Sequence, residues 1–150
     1  MPVSSPRALL PIVIAYLPVP IIGAVLSARW DVGASPDGHA GDMFLRGTAL
    51  TPPLFLPAAL LAGAAAARSD GTRGRVGAGL VSLVATWLLA GSTANLPNDF
   101  AAARAAGTPR VLTGLLALVH LGLSLALLFN AVPRLRAGRR SGGETLLGMV

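Results

Sequence analysis

The sequence predicts an all-α integral membrane protein, a four-helix transmembrane bundle with both termini in the cytoplasm. Three observations carry this expectation. First, the 150 residues are 53% hydrophobic and only 12% charged, with mean hydropathy +0.68. Soluble domains carry about 25% charged residues. One small core cannot hide so much Ala, Leu and Val, which excludes an ordinary soluble globule and a disordered tail. Second, the apolar residues fall into four runs, at residues 8–28, 49–67, 76–96 and 111–132, none holding an Asp, Glu or Arg. Each is near the roughly 20 residues needed to cross a bilayer as a helix, the form that satisfies its own backbone in lipid.

The third observation is the placement of the 12 basic residues, all of them Arg. Arg7 precedes the first run; Arg68, Arg73 and Arg75 separate the second and third; Arg134, Arg136, Arg139 and Arg140 follow the fourth. The other four, Arg29, Arg46, Arg104 and Arg110, share the opposite side with Asp31, Asp37, Asp42 and Asp99. The positive-inside rule assigns the richer side to the cytoplasm. The net charge of +6 therefore reads as topology and contact with membrane lipids, not as nucleic-acid binding. Arg without Lys, with abundant Ala and Gly, points to a bacterial genome and hence to the bacterial cytoplasmic membrane.

Taken in order, residues 8–28 are too long for a signal-peptide apolar region and are expected to remain as a span. Pro11, Pro18 and Pro20 predict a kink there, with an opened bundle cavity as its functional consequence. Residues 29–48 form the longest outer loop, made irregular by Pro and Gly, with Trp30 as an interfacial anchor. His39 and Asp42 lie one helical turn apart in it, too few for a metal site. The second span begins near Pro52 and Pro53 and shows a small-residue face at Ala59, Gly63 and Ala67. After the third span, the Ala-rich residues 100–106 predict a short surface helix capped by Asn98 or Asp99. Pro133 is expected to close the fourth span, and residues 133–150 form a basic tail that frays after Gly138. The whole chain, 1–150, reads as one domain.

Several chemistries lack their residues. There is no Cys, no phosphate-binding Gly loop, and no carboxylate in any span; Glu144 is the single Glu. No cofactor and no metal are implied. His120 stands out as the one imidazole inside a span, about nine residues from its outer end, or ~14 Å deep. Buried ionisable groups in membranes usually face the bundle. Ser124 lies one turn from it, and Thr113 and Ala117 continue that face. Depth matching adds Tyr16 of the first span and Thr86, beside Trp87, of the third. Asn95 belongs to the outer mouth, with Arg46, Asn98 and Asp99.

These residues define the functional expectations. A hydrophobic small molecule would bind in a pocket lined by Tyr16, Thr86, Trp87, Ser124 and Asn95, with His120 as proton donor or acceptor. The alternatives are a non-catalytic accessory subunit of a membrane complex and a small oligomeric transporter for a neutral solute. Gly114, Gly122 and Ala126, opposite His120 on the last span, would be the contacts of a homo-oligomer.

Overall fold

The computed structural model describes residues 9–147, with side chains as far as residue 135. Arg7 and the side chains of Arg136, Arg139, Arg140 and Glu144, on which part of the topology and tail expectations rest, lie outside the described residues. The elements are α1 (Leu9–Tyr16), α2 (Pro18–Trp30), a 3-10 turn (Ala40–Phe44), α3 (Phe55–Ala66), α4 (Gly71–Ala94), α5 (Leu96–Ala105) and α6 (Arg110–Leu147). Among the described residues the one β pairing is an isolated bridge between Thr48 and Thr51. Three stretches are long and apolar enough to cross a membrane: Leu9–Trp30, Gly71–Ala94 and Arg110–Leu135.

α1 and α2 form the first of these, interrupted at Leu17. The cause is in the sequence. Pro18 and Pro20 have no N–H to return to the carbonyls of Ile14 and Tyr16. Leu17 N–H still reaches the Val13 carbonyl at 3.1 Å, but the bond from Ile21 to Leu17 stretches to 3.5 Å.

The second apolar run departs most from expectation. Helix α3 covers only 12 residues, Phe55–Ala66, or about 18 Å of rise against the ~30 Å of a hydrocarbon core. Pro52 and Pro53 supply no backbone donor, and each disfavours helical geometry in the residue before it. Gly47, at φ +81°, makes the turn that precedes them; a Cβ there would lie 2.8 Å from the Thr51 carbonyl oxygen. Residues 48–54 are therefore irregular, yet every N–H among them has an acceptor. Thr48 and Thr51 donate to each other's carbonyls, Ala49 to Gly33 and Leu54 to Met43. Leu50 donates to the Thr48 hydroxyl, and the two prolines need nothing.

The helices pack along two stripes. On α4 the buried residues are Gly77, Ala78, Val81, Val84, Ala85 and Leu88. On α6 they are Thr113, Leu116, His120, Ser124, Leu127 and Ala131. Both follow the three- and four-residue spacing of one helix face. The α3–α4 contact is close because it is built on glycine. A Cβ on Gly77 would come within 2.4 Å of Ala67 N and 2.6 Å of Gly63 O. The small face expected at Ala59, Gly63 and Ala67 thus packs against α4. At the same end, Arg134 Nη1 donates to the Ala67 carbonyl at 2.7 Å, tying α6 to the end of α3.

Two boundaries differ from expectation. Helix α6 runs through Pro133 to Leu147 instead of closing at the proline. Only the bond to the Phe129 carbonyl is lost, and Phe129 is exposed, so neighbours do not force a stop. Helix α5 starts at Leu96 with Asn95 at its N-cap, not at Asn98 or Asp99. Pro97 takes the first turn, where its missing N–H costs nothing.

Candidate functional site

His120 belongs to the inward stripe of α6 and retains only 6% of its exposure. It is ten residues from the start of the helix, about 15 Å along the axis. The break at Leu17 ends α1 with Tyr16 fully buried against it. Tyr16 Oη and His120 Nδ1 are 3.1 Å apart, and the rings meet edge to face with centroids 5.5 Å apart.

His120 Nε2 is buried and has no partner. An uncharged imidazole has one donor and one acceptor nitrogen. If Nδ1–H donated to Tyr16, the phenolic O–H and Nε2 would both be left over. If the Tyr16 O–H donates to Nδ1, only Nε2–H is left. The second arrangement strands fewer buried groups and so assigns the proton to Nε2. The hydroxyls of Ser82, Thr108, Thr113 and Ser124 are also buried and unpaired. Thr108 lies in the connection between α5 and α6; Ser82, Thr113 and Ser124 lie within helices, where a hydroxyl can rotate toward a carbonyl of the preceding turn. The imidazole has no such option.

The same histidine lines a cavity of about 420 Å³, within the 300–1,000 Å³ range of small-molecule sites. It lies beyond the start of α3, where the upper turns of a full-length helix would stand. One wall is residues 45–53, with Phe55 and Leu56 below them. Trp87, Leu88, Gly91, Ser92 and Asn95 of α4 form the second, and Leu116, Ala117 and His120 of α6 the third. Asp99 of α5 also borders it, and burial pushes its carboxyl up to about 6.

The structure thus joins some of the expected residues and separates others. Tyr16 and His120 touch, and Ser124 is buried one turn away on the same stripe. Trp87 and Asn95 line the same cavity as His120, and Trp87 is 60% exposed. Thr86 lies elsewhere: it is exposed and donates to the Ser82 carbonyl at 2.8 Å. The buried set Val84, Ala85 and Leu88 turns Thr86 away from the bundle, a direction around the helix that depth matching does not contain. The kink of the first span orients Tyr16 but does not open the cavity, which no residue of α1 or α2 lines. Thr48, Ser92 and Leu116 went unnoticed in sequence, since nothing in composition marks a helix that stops short.

In the long loop, His39 pairs with Asp31 at 3.0 Å, not with Asp42. Asp31 holds the left-handed cap of α2 and also accepts from Ala40 N–H at 2.8 Å, while Asp42 accepts from Ala34 N–H at 3.2 Å. The backbone bond from Ala40 and the His39 ring keep the Asp31 carboxyl below its ordinary value; Asp31 in turn raises His39. Among the described residues no three His, Cys, Asp or Glu side chains gather as metal ligands. No family model matches the chain, and no curated protein or solved structure is significantly similar to it.

Proposed function

We propose that this is a small multi-pass protein of the bacterial cytoplasmic membrane that binds, or acts on, a hydrophobic small molecule within its helix bundle. The observation that carries the reading is His120 Nε2, buried and unpaired, on a histidine that lines a cavity of apolar side chains interspersed with Thr48, Thr51, Ser92, Asn95 and Asp99. Leaving such a donor unpaired costs about 1–3 kcal/mol, which a ligand oxygen recovers. Tyr16 fixes the ring and its tautomer, and His120 is the proton donor or acceptor for any reaction at that oxygen.

In this reading α3 and the irregular residues 48–54 together make a fourth crossing, and both termini are cytoplasmic. The complete pairing of N–H groups in 48–54 supports it, because irregular backbone at membrane depth is tolerated where it is satisfied by protein or lines a cavity. Gly122, with open space around it, and Ala126 would meet a second copy; Gly114 is covered within the chain by Phe100, 3.7 Å from where its Cβ would be.

The test is to extract protein purified in mild detergent with organic solvent and measure released compounds by mass spectrometry. A stoichiometric apolar, oxygen-bearing compound should accompany the wild type and be depleted in His120→Leu. Equal recovery from both proteins, or none from either, would remove the reading.

A further inference from the structure

The cavity has an opening that its polar end does not explain. Three of its lining residues are also among the most exposed apolar side chains: Leu45 at 80%, Trp87 at 60% and Phe55 at 45%. Trp87 is seven residues inside the end of α4, about 10 Å along the axis. That places it within a helix long enough to cross the bilayer, not at a water-facing rim. Phe55 is the first residue of α3, so nothing of α3 stands beyond it to close the gap toward α4. Gly91, on the same wall, widens the passage: a Cβ there would meet only Trp87 Cδ1, at 4.0 Å.

We infer that the cavity opens sideways into the bilayer, between Phe55 and Trp87, and admits the neutral carbonyl-bearing head of a membrane-dissolved lipid whose tail stays among the surrounding acyl chains. This rests on the proposed reading of His120 as the ligand-facing donor. The head is specified at its inner end. A single unpaired N–H on a histidine of the wall calls for an acceptor oxygen, which reaches the buried Nε2 by displacing the side chains packed over it; Arg46, the cationic side chain of the wall among the described residues, lies at the exposed loop. The side walls, Pro52, Pro53, Trp87, Leu88 and Leu116, suit a compact apolar head. The tail is specified by the gap. A ligand taken from water would require the chain to fold up inside about 420 Å³, whereas a sideways opening lets it remain where it already dissolves.

Two photoreactive ketones separate the elements of this inference. 4-Methoxybenzophenone and 4-hexadecyloxybenzophenone share a carbonyl-bearing head, and only the second has a tail. Each is added to full-length protein in phosphatidylcholine–phosphatidylglycerol vesicles, irradiated, and its attachment sites mapped by mass spectrometry. Both should label saturably at peptides containing residues 87–95 and 116–120, the tailed probe at least as well as the short one. His120→Leu should reduce this labelling about ten-fold, and His120→Gln, which keeps a donor, much less. Gly91→Phe, which adds bulk where there is room and leaves His120 untouched, should reduce the tailed probe about ten-fold even if His120→Leu does not fold. Labelling by the short probe alone would overturn the sideways opening and leave the His120 pocket standing. Labelling by neither, or only unsaturable labelling spread over exposed positions such as Leu83 and Leu118, would overturn both.

Discussion

Tyr16 Oη lies 3.1 Å from His120 Nδ1, joining residues 104 positions apart at the middle of the bundle. One ends a helix broken by proline; the other sits on the inward stripe of the last long helix. The contact binds the first membrane-crossing segment to the last and also decides which imidazole nitrogen is left for anything else.

Tyr16→Phe keeps the edge-to-face ring contact and deletes the hydrogen bond. It should lower stability by about 0.5–1.5 kcal/mol, read from thermal unfolding in detergent. His120→Leu strands the Tyr16 hydroxyl at a cost of about 1–3 kcal/mol but also removes the unpaired Nε2–H, so its net loss should be no larger than that of Tyr16→Phe. Equal stability of Tyr16→Phe and wild type would mean that the two side chains do not share a proton in the folded protein.

Gly77 and Gly122 are both helical glycines, with opposite surroundings. Gly77→Leu drives a side chain into Ala67 N and Gly63 O and should destabilise by at least about 1–3 kcal/mol or prevent accumulation. Gly122→Leu meets no atom within 4 Å of its Cβ and should fold normally. If Gly122 faces a second copy, chemical crosslinking of membranes should show less dimer for Gly122→Leu. An undiminished dimer band would take this face out of the oligomer.

Asp99 makes stability depend on pH. Its carboxyl is raised to about 6 by burial, above its value in the unfolded chain. The folded protein therefore holds this proton more tightly, and the contribution is complete below the unfolded value and lost as pH rises through about 6. Asp99→Asn removes the titration. Its melting temperature should gain on that of wild type between about pH 5 and about pH 8, modestly because the carboxyl keeps some contact with solvent. A difference that does not change with pH would show that Asp99 is not desolvated.

The exposed pair His39–Asp31 titrates without bearing on the core. The C–H resonances of the His39 ring should report a value above the ordinary imidazole one, and Asp31→Asn should bring it back down. No change in the Asp31→Asn titration would place the two side chains apart in solution.

Reporter fusions after Pro133 and within residues 31–41 test the proposed topology. They should report opposite sides of the membrane. The same side for both would mean that residues 48–66 do not complete a crossing.

Much of the helical plan was legible because it rests on local composition. Runs of apolar residues without charge marked the stretches Leu9–Trp30, Gly71–Ala94 and Arg110–Leu135, and the four-residue rhythm placed His120 and Ser124 on one face. Tyr16 could be set at the depth of His120 from residue counts alone. The rest depends on rotation and on absence. Counting residues gives depth along a helix, but the outward direction of Thr86 follows from how α3 and α6 grip α4. The cavity follows from turns that α3 does not make. Pro52 and Pro53 were visible as a helix start, but the apolar run around them concealed that the helix begins only at Phe55. His39 pairs with Asp31 because a left-handed residue at the end of α2 turns that carboxylate toward it, a geometry that linear spacing does not contain.

In the proposed site Tyr16 occupies Nδ1 of His120, and Nε2 carries the proton that a ligand oxygen accepts. Nitrogen-15 spectra of protein labelled at histidine, assigned with His39→Gln and His120→Gln, measure this directly. The His120 Nε2 should carry the proton at pH 7, and its resonance should shift on addition of 4-methoxybenzophenone far more than that of Nδ1. A proton on Nδ1, or a His120 signal that saturating ketone leaves unchanged, would contradict it.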